Sequence, residues 1–173
     1  LIIAGASHLS KLTNALENSD LINLPLFSIE DSERIPAEFK NIKDLSKQFS
    51  TFDAYEPVMK DVAAYIFTSG TTGLPKAALV DHAKLVKGSF AGHFLCFNFK
   101  TKDRLYMTLP LYHSTGLVLG WAASLRAGCA NIIKPKFSAS EFWGDVKKYK
   151  ANKFIYVGEL CRYLMNLPAS ETD

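Results

Sequence analysis

Apolar positions along this chain fall into short runs separated by helix-length segments. Leu1–Ala4 opens as a strand-like run, Ser7 is placed to cap a helix through Leu16, and Leu24–Ile29 reads as a second strand. Residues 30 to 60 are richer in charge and proline, predict one weak helix near Asn41–Phe49, and read as a surface excursion. Ala63–Thr68 and Ala77–Val80 are the next strands, after which Asp81 caps a helix to about Cys96. Arg104–Leu109 predicts a strand, Thr115–Arg126 a helix ending at Gly128, and Ala130–Lys134 a strand. Ser138-Ala139-Ser140-Glu141 has the form of a capping box opening a helix to Tyr149. Lys153–Val157 then predicts a strand and Glu159–Asn166 a helix stopped by Pro168. Strands alternating with helices imply a layered α/β fold with a largely parallel sheet flanked by helices.

The strands around residue 70 frame the most informative stretch, Thr68-Ser69-Gly70-Thr71-Thr72-Gly73-Leu74-Pro75-Lys76. Glycines let a backbone turn sharply and bring its N–H groups against phosphate oxygens. Hydroxyls add donors and a lysine adds a point charge. The plain alternative is a polar surface turn. The spacing is not that of the common P-loop, because two residues separate Gly70 from Gly73 and Lys76 comes three after Gly73. Nor is it the G-x-G-x-x-G dinucleotide fingerprint.

This stretch resembles the phosphate-binding signature of the adenylate-forming (AMP-binding) superfamily, which includes acyl-CoA synthetases, luciferases and peptide-synthetase adenylation domains. The usual ending is Pro-Lys-Gly; here Ala77 replaces the glycine, as in the very-long-chain acyl-CoA synthetase and fatty-acid transport protein branch. Leu109-Pro110-Leu111-Tyr112-His113-Ser114-Thr115-Gly116 resembles the second core motif of the family. The stretch from Tyr156-Val157-Gly158-Glu159 to Leu164 resembles one typical of the fatty-acid transport branch. The resemblance covers residues 55 to 168. It implies part of a large N-terminal domain, with the C-terminal domain absent.

What the resemblance implies is ATP-dependent activation of a long- or very-long-chain fatty acid. The acid passes through an acyl-adenylate to acyl-CoA, coupled to fatty-acid uptake. Thr68, Ser69, Gly70, Thr71, Thr72, Gly73 and Lys76 would cradle the phosphates, with Lys76 and Thr68 the catalytic members and Thr68 a magnesium ligand. His113 would border the carboxylate, and Tyr156 and Gly158 the acyl tunnel. ATP, Mg2+ and coenzyme A are the implied cofactor and co-substrates. The alternatives are a ligase for another carboxylate and an inactive lipid-binding or transport paralogue. Ala77 either needs no positive φ or marks an altered loop. Glu159 is either catalytic or part of a helix-end cap and a pair with Arg162.

Composition narrows the setting. A net charge of +3 gives no case for nucleic acid. Cys96, Cys129 and Cys161 form no Cys-x-x-Cys pair and argue for reduced thiols in an intracellular compartment. His8, His82, His93 and His113 are too scattered for a metal cluster. No apolar run reaches the roughly 20 residues of a membrane span; the longest, Gly116 to Leu125, reads as a buried helix. The lack of an initiator methionine predicts an internal fragment; the resemblance implies that it lacks the adenine-side motif, the ribose-binding aspartate, the hinge and the C-terminal lysine, and is inactive alone. By resemblance its parent sits at a membrane, whether endoplasmic reticulum, peroxisome or plasma membrane. Phe90, Phe94, Phe97, Phe99, Trp121, Phe142 and Trp143 are core or tunnel wall. Lys147, Lys148, Lys150 and Lys153 are a solvated helix end or a contact with an anionic membrane surface.

Overall fold

A computed structural model describes residues 1–17, 19–21, 23–29, 36, 38–51, 53–68 and 74–168. Contacts divide the chain into two units, Leu1–Tyr55 and Glu56–Asp173.

In the first unit, β1 (Ile2–Ala4), β2 (Leu26–Ser28) and β3 (Phe39–Asn41) form a parallel sheet in that order. Helix α1 (Leu9–Leu16) buries Leu9 and Leu16. Ser7 is not its cap. A tight 3-10 turn over Ala6–His8 absorbs that serine, and neither Gly5 nor His8, the two capping positions, makes a side-chain capping bond. β3 lies inside the stretch expected to be a surface excursion. Its three residues are too few to show a period, yet Phe39 is buried and Asn41 caps the short helix α2 (Ile42–Ser46), accepting from the Lys43 N–H at 2.8 Å.

In the second unit, β4 (Val62–Thr68) and β5 (Lys76–Asp81) form an antiparallel ladder. Their connection is far too short for a parallel crossover, which takes a dozen residues or more. Asp81 caps α3 (His82–Ala91) as predicted, its Oδ1 accepting from the Lys84 N–H at 2.6 Å. The helix then widens into π-helical turns over Gly92–Phe97 and ends at Asn98 in the left-handed region, φ 46°.

Strand β6 (Arg104–Met107) is the centre of a second parallel sheet, between β7 (Ala130–Ile133) and β8 (Lys153–Ile155). The predicted Thr115–Arg126 helix is two segments, π-helical over Thr115–Ala122 and then α4 (Ala123–Ala127), closed by Gly128 at φ 68°. Gly116, Gly120, Ala123 and Ser124 are buried there, but Leu125 is exposed, so the segment is only partly the buried helix expected. On this side Leu105 and Met107 join Phe99, Ala123, Cys129 and Ile155 in the main core. On the opposite face Tyr106 packs with Phe142 and Phe154, beneath α5 (Ala139–Tyr149). The last helix is α6 (Gly158–Met165).

The capping box at α5 does not form. Ser138 makes no capping bond and its hydroxyl lies 3.2 Å from that of Ser140, while Glu141 turns to the Lys134 ammonium at 3.4 Å. A full positive charge is a stronger partner for a carboxylate than a neutral N–H.

Candidate active site

Two groups of the predicted residues are placed by different elements. The first is the hairpin end. The β4–β5 register pairs Thr68 with Lys76 as the last rung, and the Thr68 hydroxyl donates to the Lys76 carbonyl at 3.3 Å. The two residues therefore face each other across the mouth of the connection. Ser69, Gly70, Thr71, Thr72 and Gly73 lie outside the described residues. Leu74, just past them, is exposed, and so is the Lys76 side chain. Ala77 sits inside β5, paired with Phe67, and is not among the residues of positive φ. An extended strand position accepts any Cβ, so the departure from glycine needs no altered loop.

The second group is the carboxyl edge of the β7-β6-β8 sheet. Because the strands are parallel, the segments that leave β6 and β8 emerge on the same edge, where open α/β sheets take ligands. Past β6 the chain turns, with the His113 N–H donating to the Pro110 carbonyl at 3.1 Å. The His113 carbonyl then accepts from the Leu117 N–H at 2.9 Å, which fixes the entry to the π-helical segment. Gly116 makes this fold-back possible: a Cβ there would lie 2.4 Å from the Pro110 carbonyl oxygen. The His113 ring is exposed, 4.8 Å from that of Tyr112. Past β8, Tyr156 stacks on Phe154 with ring centroids 5.6 Å apart and keeps one side open to solvent. Gly158 opens α6 with nothing within 4 Å of its missing Cβ.

The structure thus brings His113, Tyr156 and Gly158 to one edge. Among the described residues, no hydrogen bond or ring contact joins them to Thr68 or Lys76. Glu159 pairs with the Arg162 guanidinium one turn on and provides no side-chain cap, so of its two bland roles only the ion pair forms. The aromatics also separate. Phe97, Phe99 and Trp121 belong to the main core, Phe142 is buried on the other face, and Phe90, Phe94 and Trp143 are about half exposed.

Two features of this edge escaped the sequence reading. The Thr108 hydroxyl, directly after β6, is buried without a partner among the described residues. Lys134, directly after β7, pairs with Asp145 at 2.8 Å, and Asp145 also accepts from the buried Tyr106 hydroxyl at 2.8 Å. The hydrogen bond from Lys134, and then that from Tyr106, hold the Asp145 carboxyl below its ordinary range. Hydrogen bonding to Asp145 pushes Lys134 up to about 12. Burial first, then Asp145, pushes Tyr106 up to about 12. No spacing in the sequence links residues 106, 134 and 145; the fold alone joins them. Among the described residues, no group of three or more His, Cys, Asp or Glu is arranged to hold a metal.

The family model for AMP-binding enzymes matches residues 3–173. The chain belongs to the AMP-binding enzyme family. Mouse long-chain fatty acid transport protein 6 is 49% identical over 115 residues, which are 66% of this chain and 18% of that protein. A medium/long-chain-fatty-acid–CoA ligase, FadD6 of Mycobacterium tuberculosis, is 34% identical over 164 residues, 91% of this chain and 28% of that protein. The crystal structure of ATP-bound MatB from Rhodopseudomonas palustris superposes with a TM-score of 0.67 at 28% identity, over 74% of this chain and 25% of that one. This AMP-binding chain therefore spans less than a third of the length of either of these two relatives. The layered α/β architecture is that of adenylate-forming N-terminal domains.

Proposed function

We propose that this chain supplies the nucleotide-phosphate loop and the acyl-side edge of a fatty acid–CoA ligase for long or very long chains, coupled to fatty-acid uptake. One observation carries the chemistry: the register that sets Thr68 opposite Lys76 at the mouth of a Ser/Thr/Gly connection. The names of the transport-protein and ligase relatives support the substrate class.

In the reaction, a carboxylate oxygen of the acid attacks the α-phosphorus of ATP. The bond to the bridging oxygen breaks, and pyrophosphate leaves with that electron pair. The thiol of coenzyme A then attacks the acyl carbonyl and releases AMP. Negative charge gathers on the departing pyrophosphate, so the protein's task is positioning and charge compensation. Lys76 supplies the cation, and the loop's N–H and hydroxyl groups supply donors. His113 borders the carboxylate, while Tyr156 and Gly158 bound the acyl chain. At the hairpin mouth the Thr68 hydroxyl is a candidate oxygen for magnesium, a fit for an ion held mainly by nucleotide phosphates and water. When bound, the ion neutralises part of the triphosphate charge.

The test is ATP–pyrophosphate exchange by the full-length parent protein, driven by saturated fatty acids of twelve to twenty-four carbons. Lys76→Ala should cut exchange roughly 100-fold or more, the scale of losing one preorganised charge-stabilising donor. Its exposed side chain leaves folding intact. Absence of exchange with every fatty acid in the wild type would overturn the substrate assignment. Full exchange in the variant would remove Lys76 from the phosphates.

A further inference from the structure

The carboxyl edge of the β7-β6-β8 sheet is occupied by the candidate site; the opposite, amino end has a different character. Strand β6 is entered through Lys100, Lys102 and Arg104. The segment from the end of α5 into β8 adds Lys147, Lys148, Lys150 and Lys153. The fold brings these two sequence-distant groups together. Arg104 Nε donates to the Tyr149 carbonyl at 2.6 Å, the Arg104 N–H donates to Asn152 at 2.8 Å, and Lys153 Nζ donates to the Phe97 carbonyl at 3.1 Å.

All three acceptors are neutral oxygens, as is Asn98 Oδ1, which holds Lys100 at 2.7 Å. They anchor Arg104, Lys153 and Lys100 without cancelling their charge. The single carboxylate in these two stretches, Asp103, is buried. It accepts from the Lys100 N–H and from Asn152, each at 2.8 Å. Seven cations against one carboxylate stand out in a chain whose whole net charge is only +3, so the rest of the chain is net negative. Just before Phe97 the π-helical turns project Leu95, 81% exposed, and Phe94, half exposed.

We propose that this amino end is a docking surface for an anionic lipid membrane. Lysines near an acidic leaflet are each drawn to its surface potential, and an exposed apolar side chain beside them gains by entering the interface. Leu95, the more exposed of the two, favours lipid over a nucleic acid because leucine has no π-face on which a base could stack, and the Phe94 ring is already engaged by His93 and Phe90, with centroids 4.0 and 4.5 Å away. The arrangement also places the membrane at the end of the sheet away from His113 and Tyr156, leaving the carboxyl edge open. The proposal stands apart from the ligase assignment, since binding is measured without ATP or fatty acid.

The experiment is sedimentation of the purified protein with vesicles of phosphatidylcholine alone and of phosphatidylcholine with about 30% phosphatidylserine, at about 0.1 M and about 0.5 M NaCl. The ratio of the two partition coefficients isolates the charge-dependent part from any apolar attachment elsewhere in the protein. The expected result is a marked preference for the serine-containing vesicles that collapses at the higher salt. Lys102→Gln/Lys148→Gln, both at exposed positions, should lower that ratio about 25-fold, roughly fivefold per cation, with the thermal transition unchanged. An unchanged ratio in the variant overturns the proposal. So does the absence of any preference in the wild type, including the case where single-stranded RNA binds at the same salt while serine-containing vesicles do not.

Discussion

Replacing Gly116 by alanine tests the packing that holds His113 at the sheet edge. The added Cβ would sit 2.4 Å from the Pro110 carbonyl oxygen and 3.0 Å from that of Leu109. Both are backbone atoms, so no side-chain rotation relieves the contact; the π-helical segment or the turn before it must move. Overpacking of this kind costs about 3 kcal/mol at the upper end of its range, and the gain in helix propensity returns about 1 kcal/mol. The net expectation is a loss of about 2 kcal/mol. Gly144 in α5 is the matched control, because nothing lies within 4 Å of its missing Cβ. The same substitution there should gain about 0.5–1 kcal/mol. Urea unfolding followed by circular dichroism reads both. With a slope of about 2 kcal/mol/M, Gly116→Ala should lower the midpoint by about 1 M and Gly144→Ala should raise it by about 0.3 M. A Gly116→Ala protein as stable as the wild type would refute the steric argument. A displaced turn should also raise the KM for the acid in the exchange assay, since His113 is bonded on both sides of the moved segment.

The Asp145 network makes a pH prediction. A carboxyl held low in the folded state gives stability that is present above its unfolded value of 3.8 and is lost as pH falls through its folded value. Lys134 and Tyr106, both raised to about 12, give stability that is complete below their ordinary values and is lost as pH rises toward 12. Thermal melting should therefore show a plateau near neutrality with an acid and an alkaline limb; Asp145→Asn should flatten the acid limb, and an unchanged limb would exclude this carboxyl as its source. Tyr106→Phe removes a buried donor to Asp145 and should cost about 1–2 kcal/mol by urea unfolding. At the start of α3, Asp81→Ala should cost about 1 kcal/mol and Asp81→Asn nearly nothing, because asparagine caps about as well as aspartate; equal losses in both would show that charge, not capping, is the source.

The sequence by itself determined most of what local physics controls. Strand-like runs, the Asp81 cap, the Gly128 stop and the Thr68–Lys76 motif were legible because each depends on residues close in the chain. Where local signals were weak or had a stronger competitor, they failed. Ser7 was taken up by a 3-10 turn, Glu141 was drawn from its capping box to Lys134, and the three-residue β3 was too short to show a period. The π-helical widening at Gly92 and Thr115 left no mark in the apolar pattern. Of the candidate site, the residue types were readable but their grouping was not. The shared edge of His113, Tyr156 and Gly158 follows from the parallel register of β6 and β8, and the rung between Thr68 and Lys76 from the antiparallel register of β4 and β5. The Tyr106–Asp145–Lys134 network and the basic amino end join residues tens of positions apart. Only tertiary structure could decide them, because hydrogen bonds and ion pairs act over a few ångströms of space, whatever the separation along the chain.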